Sequence, residues 1–185
     1  PSAVALGGLV LLATETASSS ATITFDSDID STYKEYIIKM YDVHASNDNV
    51  SFVFNLRDGS TAYDAVKTTT AFNVGHNEGD TATLFAYRTS DDLAQSTGFQ
   101  DLGRDDAMGT GNDECLAGTL HLYDPSNTTF VKHFISRVIF YHRDDYAVDF
   151  YVAGYANTTS AIDGIQFKMS AGNIDAGTFK LYGVT

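Results

Sequence analysis

Apolar and polar residues alternate in short runs along this chain, each closed by Gly, Asn, Asp or Ser. A period of two is the signature of half-buried strands. Within residues 21–25, Ile23 and Phe25 share a face opposite Thr22 and Thr24. Tyr36, Ile38 and Met40 oppose Lys39, and Phe52, Phe54 and Leu56 oppose Ser51 and Asn55. Similar runs occupy 62–73, 83–88, 116–123, 130–142, 146–155, 162–169 and 178–184. The run 130–142 is apolar on both faces, as expected of a strand buried within a sheet or at a subunit interface. Only 90–96 has the composition for a helical turn, and the Gly- and Asp-rich stretch 102–114 reads as a long loop pivoting on Gly103, Gly109 and Gly111.

About ten short strands with turns between them predict an all-β fold of two antiparallel sheets, a β-sandwich. Jelly-roll is the expected topology. The immunoglobulin-like alternative lacks its Cys…Trp…Cys signature, since the chain has no Trp and one Cys. Residues 1–185 are expected to form a single domain, with 1–16 as an N-terminal arm or first strand. The apolar run Leu9, Val10, Leu11 and Leu12 has no basic flank or cleavage-like motif and is too short to span a bilayer. It is expected to serve either as a core strand or as an assembly contact.

Composition narrows the partners. The net charge of −13 repels a phosphate backbone and an anionic membrane surface, so neither nucleic acid nor membrane is an expected partner. Cys115 sits beside two acids, which disfavours a reactive thiolate, and is expected as a small buried hydrophobe. His44, His76, His121, His133 and His142 lack metal-ligand spacing and read as surface residues, with His121 on the face opposite Leu120 and Leu122. No nucleophile elbow is present, and the expectation is that the protein is not an enzyme. Calcium is the one metal considered: Asp26, Asp28 and Asp30 offer alternate carboxylates in a turn, without the Gly and Glu of an EF-hand loop. Asn49, Asn127 and Asn157 match the glycosylation pattern, but also suit turns and strands. Tyr151 and Tyr155 share one side of a strand, with Tyr146, Val148, Phe150 and Val152 on the other. Such tyrosines suit a sugar platform or a subunit interface.

Four stretches carry a family resemblance: residues 7–25, opening Gly7-Gly8-Leu9-Val10-Leu11-Leu12; Asp92-Leu-Ala-Gln-Ser-Thr-Gly-Phe99; Gly154-Tyr-Ala-Asn-Thr-Thr-Ser-Ala161; and the closing segment 162–184. Together they resemble a β-sandwich domain of structural proteins from tailed bacteriophages, especially marine and cyanobacterial ones. The resemblance spans nearly the whole chain and has no catalytic motif to transfer. It implies location in the virion, as a head decoration or cement protein, a knob or a fibre component, with a tail-fibre tip that binds a receptor or carbohydrate as the alternative. A domain that fills this sequence, with no shaft before it, favours decoration or knob. The implied partners are further copies of the chain as a homotrimer, phage coat or tail proteins, and a host surface glycan. For outward contacts the expected surface is the loop carrying Gly103, Asp105, Asp106, Gly109, Gly111 and Asn112.

Overall fold

The computed structural model describes residues 7–185, and among them every regular element is a β-strand. In chain order these are β1 (Leu9–Ser20), β2 (Ile23–Phe25), β3 (Glu35–Ala45), β4 (Phe52–Arg57), β5 (Lys67–Asn77) and β6 (Thr83–Tyr87). They continue as β7 (Gln100–Asp101), β8 (Leu116–Tyr123), β9 (Lys132–His142), β10 (Tyr146–Ala156), β11 (Gly164–Met169) and β12 (Ile174–Val184). Alternation had marked all of these except β7, which is two residues long, and β1, whose Ser- and Thr-rich second half carries little apolar signal. Residues 90–96 form turns and bends rather than a helical turn.

Two antiparallel sheets pack face to face. The larger has the order β1-β12-β3-β8-β9-β10-β5-β6, and the smaller β2-β11-β4-β7. Eight strands interleave as β1-β12-β3-β8 over β2-β11-β4-β7, with chain neighbours β1 and β2, β3 and β4, β7 and β8, and β11 and β12 on opposite sheets. This is jelly-roll order. Two hairpins, β5–β6 and β9–β10, extend the large sheet beyond β8 as β9-β10-β5-β6.

Apolar residues on the facing sides of the sheets fill the core. Phe54 of the small sheet meets Phe134 of the large one edge-on at 5.2 Å, and Phe167 lies 5.5 Å from Phe179. Gly118 is required where β8 crosses β9: an added Cβ would lie 2.5 Å from the Arg137 carbonyl and 2.7 Å from Val138 Cα.

Beyond the reach of the small sheet, the inner side of the extension is closed by residues 88–115. Leu102, Ala107 and Met108 of that stretch are fully buried, as are Gly103 and Gly109. The expectation of a free contact loop is therefore corrected. The stretch works as a lid over β5, β9 and β10, and only Asp105, Asp106, Asn112 and similar residues on its crests reach solvent, with Gly111 half-buried.

Polar groups are sealed beneath this lid. Thr69 donates to Gln100 Oε1 at 2.6 Å, and Gln100 Nε2 donates to the Asp91 carbonyl at 2.7 Å. Arg88 pairs with the fully buried Asp91 carboxylate at 3.1 Å. His142 is also buried, which corrects its reading as a surface residue. Arg104 Nη1 and the Asp144 amide face its two ring nitrogens, each at 3.0 Å.

Candidate interaction face

The outer side of the extension is an apolar sheet face that the fold leaves to solvent. On β9, Phe134, Val138 and Phe140 point into the core while Ile135 and Ile139 point out, and Ile139 is 58% exposed. Cross-strand pairing carries the outward row onto the neighbours: Ile139 opposes Ala117 on β8 and Asp149 on β10, and Tyr151 opposes Phe72 on β5. Phe72 in turn opposes Tyr87 on β6, and Val74 opposes Phe85, which is 78% exposed.

The face is ordered as well as apolar. Phe72 stacks on Tyr151 at 4.7 Å with rings 4° from parallel, and Arg137 lies over the other side of Tyr151, 5.1 Å from the ring centroid. Arg137 forks onto Asp149 with contacts of 3.0 and 2.7 Å, and the Tyr151 hydroxyl donates to Asp149 Oδ2 at 3.0 Å. The guanidinium and the hydroxyl together hold the Asp149 carboxyl below its usual range, while Asp149 raises the Tyr151 hydroxyl.

Charge is distributed unevenly. Of the 24 acidic residues in the chain, one, Asp149, lies in β8, β9, β10, β5 or β6, and it is neutralised by Arg137. The acidity sits in turns and on the rest of the surface. A protein with net charge −13 thus presents one nearly uncharged sheet face.

Relief on the face comes from small residues beside large ones. Ala117, Gly118 and Ala147 leave hollows around the Ile139 ridge. At the other end of β9 and β10, Thr68, Thr70, Tyr123, His133, Ile135 and Tyr155 line an open hollow of about 410 Å³, floored by Gly154. His121 lies on this outer side as expected and holds Glu35 at 2.7 Å. Cys115 is half-exposed at the foot of the Ile139 groove rather than buried, because β8 begins only at Leu116 and the thiol sits on the sheet's rim.

The remaining expected residues are dispersed. Leu9, Val10 and Leu11 lie on β1, the opposite edge of the large sheet, with side chains 39–51% exposed, while Leu12 is partly buried against the core. Asp26, Asp28 and Asp30 do not converge. Asp26 gives its carbonyl to Arg57 at 2.9 Å, Asp28 accepts from Ser27 at 3.2 Å, and Asp30 accepts from the Thr32 amide and the Tyr36 hydroxyl. Among the described residues no three His, Cys, Asp or Glu side chains group as metal ligands.

Sequence reasoning had marked Tyr151, Tyr155 and the two-faced run 130–142, but not the face as a whole. A signal for it was present, since 116–123, 132–142 and 67–77 contain no Asp or Glu. Fold and face together define a jelly-roll sandwich with a nearly uncharged, aromatic sheet face open to contact. No family model matches the chain, and no curated protein matches its sequence.

Proposed function

We propose that the protein is a structural component of a tailed-phage particle, a head decoration or cement protein, knob or fibre element, that acts by assembly rather than by catalysis. The observation that carries this reading is the outer face of β8-β9-β10-β5-β6, whose one strand acid, Asp149, is paired with Arg137. With strands about 4.8 Å apart and about 3.3 Å of rise per residue, that face covers roughly 800 Å², one partner's share of a standard interface. Aromatic residues and Arg in place of Lys and Glu are the composition of an interface core. Leaving such a face wet costs solubility, whereas burying it against copies of the chain around a threefold axis closes the assembly without an open end. The exposed Leu9, Val10 and Leu11 on the opposite edge supply a second contact, toward coat or tail proteins.

The test is co-sedimentation of the purified chain with heads of the phage that encodes it, prepared without the protein. Saturable binding is expected, and a chain that stays in the supernatant with heads and tails alike counts against the reading. A second reading, a glycan-binding fibre tip, is favoured by the hollow at Tyr123, His133 and Tyr155, where ring faces lie beside Thr68 and Thr70. Binding on a glycan array that disappears in Tyr155→Ala would select it.

A further inference from the structure

Two lysines are fully buried, Lys67 at the start of β5 and Lys132 at the start of β9, and they flank Ala156 of β10 from either side. Neither has a carboxylate among its hydrogen-bond partners. Lys132 Nζ donates to two backbone carbonyls, Phe130 at 3.2 Å and Thr158 at 2.9 Å. Lys67 Nζ donates to the Ala65 carbonyl at 2.8 Å and to Oδ1 of Asn55, a fully buried residue of β4. A buried ammonium held only by neutral groups is costly, and that cost disappears if the amine becomes an amide.

We propose that Lys67 and Asn55 are the partners of an autocatalytic isopeptide bond that joins the two sheets of the sandwich. The nucleophile is prepared by burial, which pulls Lys67 down to about 8 against the field of Asp64 and Asp58, so a useful fraction is free amine near neutral pH. The electrophile is held from three sides. Asn55 Oδ1 accepts from Lys67, which brings Nζ to the carbonyl, and from the Leu56 amide at 2.8 Å, which already faces the oxygen where negative charge develops. Asn55 Nδ2, the leaving nitrogen, is fixed by the Thr97 carbonyl at 2.9 Å. Water is excluded from both groups, which favours the amine over hydrolysis.

The step balances without any co-reactant. Lys67 gives up one proton, and the Nζ lone pair attacks Cγ of Asn55 while the carbonyl pair moves onto Oδ1. Collapse restores the carbonyl and breaks the Cγ–Nδ2 bond. Nδ2 takes a proton from Nζ and leaves as ammonia, which is protonated in solvent. The chain loses one ammonia and one positive charge. Asn55 lies in the four-stranded sheet and Lys67 in the eight-stranded one, so the product staples them across a 12-residue separation. Such a staple suits a particle component that must resist force; only this use rests on the proposed function, and the chemistry does not.

Intact-mass spectrometry of the purified, denatured chain decides the proposal. The expected mass is one ammonia below that of the sequence, and a protease digest should yield one branched peptide containing Asn55 and Lys67. Lys67→Met and Asn55→Ala should each restore the full mass, whereas Lys132→Met should keep the deficit. A wild-type chain that retains its full mass and gives two separate peptides after prolonged incubation at pH 9 overturns the proposal, whether or not the variants fold. Head binding is read in a separate assay, so either idea can fail alone.

Discussion

The two halves of the eight-stranded sheet solve opposite problems. In the jelly-roll half, β1-β12-β3-β8, the inner side meets a second sheet and is apolar, with Phe179, Leu181, Ile38, Met40 and Leu120 buried. Its outer side is solvated by Lys39 and Lys180, which lie over Tyr182 and Tyr41 at 5.4 and 5.9 Å. In the extension, β9-β10-β5-β6, the inner side mixes core residues such as Phe134, Val138, Phe140 and Phe150 with buried Lys67, Thr69, Asn73, Ser136 and His142, while the outer side is apolar. Of the five buried side-chain polar atoms without a hydrogen-bond partner among the described residues, four belong to Asn73, Asp101 and Arg104 on or beneath the lid. A sheet can pack dry only against another regular element. Irregular backbone brings carbonyls and amides that need polar partners inside. The extension is therefore where the fold accepts buried polar groups alongside its apolar core.

The largest expected effect comes from cutting the contact between the sheets. Phe54→Ala removes the ring that touches Phe134 and should cost about 3–5 kcal/mol, read as a lower denaturant midpoint. Gly118→Ala, at the seam between the halves, forces its new methyl against β9 backbone and should cost about 1–3 kcal/mol. An unchanged midpoint would mean that β8 and β9 separate without penalty.

Next is pH, acting under the lid. Asp101 is pushed up to about 7, first by burial and then by Asp91. Its folded pKa is above its unfolded one, so its contribution is fully present below about 3.8 and is lost as pH rises through 7. His142 is lowered by burial and by Arg104, so its contribution is present above about 6.5 and is lost as pH falls. Asp101→Asn should leave a stability that rises with pH toward neutrality, and His142→Gln one that falls. Denaturation curves at several pH values check both, and identical slopes in the two variants would refute the assignment.

The smallest effect on stability, and the largest on assembly, is expected on the outer face. Ile139→Lys combined with Phe85→Lys should shift stability by less than about 0.5 kcal/mol per site. Light scattering at two concentrations should show a trimer for the wild type and a monomer for the variant. A wild-type monomer would remove the self-assembly element of the proposal.

Much of this was legible in the chain. Alternation placed strands such as β3, β8 and β12 because one face is drier than the other, and that contrast is written locally. The run 130–142 announced its second apolar face in the same way, through Ile135 and Ile139 opposite Val138 and Phe140. The lid was misread because Gly and Asp mark irregular chain whether it lies in solvent or over a core, and only packing distinguishes the two. His142 and Cys115 were misplaced by residue type, since His142 continues the inward row of Phe134, Ser136, Val138 and Phe140, and Cys115 shares the outward parity of Ala117.

The sequence by itself therefore determined the strands, the sandwich and the acidity, because these depend on period, turn chemistry and composition. Tertiary structure alone decided which turns became a lid and that acid-poor strands far apart in the chain would adjoin in one face. It also decided that Asn55, read as a polar-face residue, and Lys67, within the run 62–73, would meet without water. Such meetings are set by strand order and by which surfaces are left to cover one another, and no local pattern of residues encodes them.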